Sequence, residues 1–204
     1  TKSGVPALSG TSKFSVSVWA SFKDMDIFHR LMGVYQWTNY WFAFNYNAGT
    51  DTLSALAFDS GKQASVITNN QIKLNEWCLL TLVYDGTFTD ISTSVQNAGR
   101  IKIYINKNPQ TLTFSGTIPA TSPSSLIDYS FELASDGYRN RAGNRELSNA
   151  KIWSEPLTSS DVETLYNYGS PIQTLANIPQ NSNLKAWYKL DASDIYNSTS
   201  TEWS

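Results

Sequence analysis

The sequence predicts an all-β protein, a two-sheet antiparallel sandwich with one short helix near residues 159–168. Apolar side chains alternate with period two along most of the chain, which is the pattern of half-buried strands. Charged residues make up only 16%, while Ser, Thr and Asn supply 63 of the 204 residues. An average soluble domain carries roughly 25% charge, so this surface meets water through neutral strand and turn residues. At this length a single sandwich buries roughly 70% of its unfolded surface and needs no disulfide or metal to hold it.

The elements come in this order. In Phe14–Phe22 the side chains of Phe14, Val16, Val18, Ala20 and Phe22 line one face, and Trp19 stands among serines on the other. Further strands are expected at Tyr40–Asn47, Leu53–Asp59 and Ala64–Thr68. Glu76–Tyr84 is apolar on both faces, as an interior strand is, and ends at Asp85-Gly86, where glycine tolerates a positive φ. The polar insertion from Thr87 to Gly99 is long for a hairpin loop, so it reads as functional or mobile. Ile101, Ile103 and Ile105 alternate with Lys102, Tyr104 and Asn106, giving a strand with one wet face. Strands at Thr111–Ser115, Ile127–Leu133 and Leu147–Trp153 come next. The helix is signed by Ser160-Asp-Val-Glu163 as a capping box with Thr158 as a competing cap, a stripe of Val162, Leu165 and Tyr166, and a stop at Gly169 and Pro171. The last strand is Leu184–Leu190, where Leu184, Ala186, Tyr188 and Leu190 share an apolar face.

Four segments in this order resemble the laminin-G-like jelly-roll domains of the concanavalin A-like lectin/glucanase superfamily. They are Phe14-Ser-Val-Ser-Val-Trp19; Asn75-Glu-Trp77 with Leu82-Val-Tyr-Asp-Gly86; Ile101-Lys-Ile-Tyr-Ile-Asn106; and Leu147–Trp153 with Pro156-Leu157-Thr158 and the helix to Gly169. The family usually has Asn-Gly where this chain has Asn106-Lys107. The resemblance implies a jelly-roll sandwich with the helix plugging one end, and residues 1–204 as one domain. Asn183–Asp191 looks like the strand that usually opens such a module, so 184–190 is either the closing strand or the start of a following module. This arrangement is similar to laminin-G-like domains embedded in virion proteins of marine tailed phages. The chain opens on Thr1 with no leader pattern, which reads as a segment of something longer.

Composition and motifs narrow the chemistry. Cys78 is the single cysteine, which excludes an intramolecular disulfide and a cysteine-rich zinc site. Between Trp77 and Leu79 it reads as a buried thiol. The net charge of −2 argues against nucleic acid as a partner, and no apolar run approaches the ~20 residues of a membrane helix. The superfamily's glucanases imply clustered acids on one strand, and retaining hydrolysis needs two carboxyls about 5 Å apart. The nearest approach, Asp128 and Glu132, lies roughly 13 Å apart along a strand and reads as a solvated face. His29, the only histidine, has no nucleophile motif to serve. Members of the family often bind calcium through loop Asp and Asn, which Asp51 or Asp136 would supply here; no spaced ligand motif is present, and no metal or cofactor is expected.

Two clusters remain as candidate ligand sites. Trp37, Tyr40 and Trp41 lie in an aromatic run with asparagines, where flat rings stack on sugars; Phe42 and Phe44 on the same run read as core. Arg139, Asn140, Arg141 and Arg145 lie in a glycine-bearing loop, where guanidinium groups suit an acidic sugar, phosphate or carboxylate. The reading is a non-catalytic recognition or structural module, extracellular or on a virion surface, for glycan or a neighbouring surface protein. A glycoside hydrolase or lyase of the same superfamily, and a purely architectural virion decoration domain, are the alternatives.

Overall fold

A computed structural model describes residues 2–3, 5–24, 28–36, 39–57, 63–124, 126, 130–134, 144–172, 174–190, 196–197 and 202–203. The strands are β1 (Lys2–Ser3), β2 (Lys13–Phe22), β3 (Phe28–Gln36), β4 (Asn39–Asn47), β5 (Thr52–Ala57), β6 (Gln63–Ile67), β7 (Trp77–Asp85), β8 (Ile101–Ile105), β9 (Asn108–Pro109), β10 (Thr113–Ser115), β11 (Ser130–Leu133), β12 (Arg145–Trp153), β13 (Leu184–Tyr188), β14 (Tyr196–Asn197) and β15 (Glu202–Trp203). Among the described residues β1-β11-β3-β4-β5-β6-β10 form a seven-stranded sheet and β13-β12-β2-β7-β8-β9 a six-stranded one, with β14 and β15 paired apart. Every strand pair in the two sheets is antiparallel. The architecture is the expected jelly-roll sandwich.

The main core lies between the sheets and obeys the period-two pattern. Phe14, Val16, Val18, Ala20 and Phe22 of β2 meet Phe42, Phe44 and Tyr46 of β4 and Met32 and Val34 of β3, all buried. Rings interlock at its centre: Phe14 stands edge-on to Phe42 at 5.4 Å, and Phe22 tilts against Tyr46 at 4.8 Å. Cys78 points into this core, its thiol 3.6 Å from the Ala20 carbonyl, and burial pushes its pKa up to about 12. The folded protein is therefore expected to be inert to a thiol-specific reagent at pH 8 and to react fully once unfolded in urea. Rapid labelling in native buffer would refute the buried placement.

A second apolar layer, which the sequence did not announce, covers the outer face of the six-stranded sheet. Leu157, then Val162 and Leu165 of the helix α2 (Ser159–Tyr166), and Ile172 and Ile178 beyond it pack on Trp19, Leu79, Val83, Tyr104 and Trp153. The helix therefore lies across a sheet face rather than plugging an end. Trp19 stands among serines but is buried. Tyr104 is buried too, its hydroxyl 3.1 Å from Ser159 Oγ, so β8 has no fully wet face. Thr158, not Ser160, caps α2: its Oγ1 accepts from Asp161 N, and the Asp161 carboxylate accepts from Thr158 N.

Three further expectations are corrected. The insertion after Gly86 contains a second helix, α1 (Thr93–Arg100). Asn97 and Arg100 pin it by donating to the carbonyls of Gly116 and Ile118, and Arg100 also to that of Phe88. Gly86 does not take a positive φ; it is needed because a Cβ there would lie 2.0 Å from the Ala120 carbonyl oxygen. Glu132 is buried on the outer face of the seven-stranded sheet, not solvated.

At the sheet edge β13 pairs with β12, Lys151 opposite Trp187 and Ile152 opposite Ala186. β13 is thus the edge strand of the six-stranded sheet. Its faces divide: Ala186 and Tyr188 pack on the main core, Leu184 and Trp187 on the outer layer.

Candidate functional site

The outer layer ends in a strained turn. After α2 the backbone takes three left-handed residues in succession: Asn167 at φ 42°, Tyr168 at 54° and Gly169 at 88°. Glycine holds such a φ freely and asparagine tolerates it, but a tyrosine there costs about 1 kcal/mol or more. The conformation is fixed by Asn167, whose Nδ2 donates to the Ser170 carbonyl while its own carbonyl accepts from Ser170 N. The effect is to hold the Tyr168 ring fully exposed.

Two grooves flank this turn. The first, about 320 Å³, is lined by Lys107, Ser160, Glu163, Thr164, Tyr166, Asn167 and Tyr168. Its two charges compensate each other: Lys107 Nζ lies 3.0 Å from Glu163 Oε1, and that hydrogen bond raises the Lys107 pKa. The second, about 150 Å³, is walled by Trp77, Ser148, Gly169 and Pro171 over the edge of Trp19. Trp77, the first residue of β7, is 46% exposed. Tyr166 stacks on Trp19 at 6.0 Å and 16°, so it joins the two grooves. The surface thus offers the exposed rings of Tyr168 and Trp77 and the half-buried Tyr166, with hydroxyl and amide groups among the lining. Such a lining holds a ligand by ring stacking and orients it with a few polar bonds.

The residues singled out from sequence are placed differently. Trp37, Arg139, Asn140, Arg141, Asp128 and Asp136 lie outside the described residues. Tyr40 and Trp41 fall in β4, opposite the end of β3, where Tyr40 pairs with Tyr35. Arg145 opens β12 opposite Phe22, next to the start of β3. Phe22, the partner of Arg145, packs on Tyr46 at the far end of β4, so the fold does not bring Arg145 to the Tyr40–Trp41 pair. Phe42 and Phe44 are core, as expected.

His29 is buried against Phe22 and Tyr46, and burial lowers its pKa despite Asp24, whose carboxylate lies 3.3 Å from Nε2. Asp51, the calcium candidate, has its carboxylate occupied by donors. Oδ1 accepts from the Tyr46 and Thr68 hydroxyls, and Oδ2 from Asn70 N at 2.9 Å. These bonds tie the Asp51 turn to β4 and to residues 68–70. No group of three or more His, Cys, Asp or Glu that could hold a metal occurs among the described residues. Glu132 shares the outer face of the seven-stranded sheet with Arg30, Asn45 and Ser54, all buried. The Arg30 guanidinium lies over the Phe28 ring at 5.4 Å.

Tyr168 and Trp77 were both missed in sequence. Tyr168 sits beside the glycine read as a helix stop, and Trp77 sits at the head of a strand read as interior. One signal was available: an aromatic between the end of the α2 stripe and its stop glycine has no place on the helix's buried face.

No family model matches the chain, and no curated protein matches it in sequence. Several solved structures match in fold. A heptameric SAP-like pentraxin from Limulus polyphemus is 16% identical with a TM-score of 0.54, covering 78% of this chain and 71% of that one. A candidate carbohydrate binding protein from Bacteroides ovatus is 15% identical with a TM-score of 0.56, covering 93% and 48%. A mutant of Trypanosoma rangeli sialidase displaying trans-sialidase activity is 12% identical with a TM-score of 0.52, covering 76% of this chain but 22% of the sialidase. At these identities the likeness is one of fold, the jelly-roll sandwich. The chain spans about half of the Bacteroides protein and about a fifth of the sialidase.

Proposed function

We propose that this chain is a non-catalytic recognition module that binds glycan at the Asn167–Gly169 turn, within an extracellular protein or a particle surface such as a phage virion. The observation that carries the reading is the Tyr168 ring, held fully exposed at a left-handed φ between two grooves. Strain at an exposed aromatic serves no packing purpose, so it points to a contact made outside the chain. The fold likeness to a candidate carbohydrate binding protein supports the ligand class. The lining supports the absence of catalysis. Among the described lining residues the one carboxylate, Glu163, is held by Lys107, whereas retaining or inverting hydrolysis needs a spaced pair.

A glycan array probed with the purified chain tests this. Binding is expected, and Tyr168→Ala is expected to reduce it at least tenfold with the melting temperature unchanged, because an exposed ring contributes little to the fold. Array binding that Tyr168→Ala leaves intact would move the site elsewhere, and an empty array would refute glycan as the ligand.

A further inference from the structure

We infer that the ligand is an uncharged glycan chain bound across the turn, with sugar rings in both grooves at once; this rests on the proposed glycan binding and names its ligand class. Size is the first argument. Self-sufficient ligand sites run roughly 300–1,000 Å³; at about 320 Å³ and 150 Å³ one groove lies at the bottom of that range and the other below it. Both grooves are walled by the same turn, Asn167 and Tyr168 on one side and Gly169 on the other. They share the stacked Tyr166–Trp19 pair beneath. A ligand that fills one groove therefore meets the other by continuing past Tyr168, and a linked second ring binds at high effective concentration.

Charge is the second argument. The ammonium of Lys107 and the carboxylate of Glu163 satisfy each other at 3.0 Å. The other described lining residues of both grooves are hydroxyl, amide, aromatic, glycine or proline. An anionic sugar would have to break the Lys107–Glu163 pair and leave Glu163 facing it; a neutral sugar needs neither. Recognition here is then insensitive to salt, which separates it from anion capture by an arginine loop, where screening acts over about 8–10 Å.

Calorimetric titration of the purified chain with cello-, chito- and manno-oligosaccharides of one to six rings tests the inference. In at least one series, affinity is expected to rise tenfold or more from one ring to three or four and then level off. It is expected to be the same at roughly 50 and 500 mM NaCl, since no charge is screened. Tyr168→Ala and Trp77→Ala are each expected to bring the longer oligomers down to single-ring affinity. A single sugar binding as tightly as its tetramer would overturn the two-groove inference while leaving glycan binding standing. The same holds for oligomer binding that neither variant weakens, or that salt abolishes. No binding in any of the three series, with the glycan array positive, would overturn this inference alone, and an empty array as well would overturn both.

Discussion

A chain ended after Ser182 is expected to lose about 3–5 kcal/mol of stability relative to the 204-residue protein. The residues removed include β13, whose Ala186 and Tyr188 pack on the main core while Leu184 and Trp187 pack on the outer layer. Fully burying a large side chain contributes roughly 1.5–3 kcal/mol; these are half-buried, so three of them contribute about half of that each. Polar ties are lost as well. Trp187 Nε1 donates to Asn149 Oδ1 at 2.9 Å, Asn149 N to the Lys189 carbonyl at 2.8 Å and Ser154 N to the Asn183 carbonyl at 3.0 Å. The loss also opens β12 as a new sheet edge, with unpaired backbone groups that invite self-association. For a chain of this size each kcal/mol moves the midpoint by roughly 2–4 °C, so a fall of about 10 °C or more is expected by calorimetry. An unchanged midpoint would show that the segment contributes nothing to this sandwich and belongs to a separate module.

Replacing Lys151 with methionine is expected to stabilise the protein, by up to about 3 kcal/mol at pH 7. Lys151 lies on the outer face of β12, one strand in from the sheet edge, 2% exposed, between Ser17 on one side and Trp187 on the other. Its ammonium reaches the Asn149 carbonyl at 3.3 Å and Oδ1 at 3.4 Å, and the Trp187 ring at 5.0 Å. None of these is a carboxylate, and burial lowers its pKa from 10.5 to about 8. Each unit is worth about 1.4 kcal/mol. Proton counts give the sign. Between pH 8 and 10.5 the unfolded chain holds a proton on this lysine that the folded chain has released, so its contribution to stability rises with pH there. Below pH 8 both states are protonated and the penalty is at its full value. Methionine keeps the apolar stem and has no charge to bury. The Cys78 thiol runs the other way, being raised from 9.0 to about 12; its contribution is intact below pH 9 and is lost as pH rises toward 12. The difference between Lys151→Met and the parent at each pH isolates the lysine. Urea unfolding at pH 6 to 9 is expected to show a gain of about 3 kcal/mol at pH 6–7, narrowing to about 2 kcal/mol at pH 9. A gain of zero, or one that does not narrow, would mean the ammonium is solvated in the native protein.

The main core was legible because strand geometry is local. Side chains two residues apart share a face, so Phe14 to Phe22 and Phe42 to Tyr46 declared their buried faces before any partner was known, and Gly169 and Pro171 marked the end of α2. The outer layer was not legible. A serine-flanked tryptophan such as Trp19 reads as exposed until an element about 140 positions later is laid over it. Leu157 to Ile178 do so only after β12 has been inserted beside β2. Lys151 was invisible for a related reason, since the Trp187 ring beside its ammonium arrives with β13, more than thirty positions later.

The functional surface divides the same way. By itself the sequence determined an all-β sandwich, its inward faces, the closing helix and a neutral, hydroxyl-rich exterior, because these depend on periodicity and composition. The tertiary structure decided which aromatics are left in solvent. Trp19 went under the helix, Trp77 stayed at an open strand end and Tyr168 was turned outward by three left-handed residues. Exposure is set by what packs over a residue from distant parts of the chain, and no local pattern carries that information.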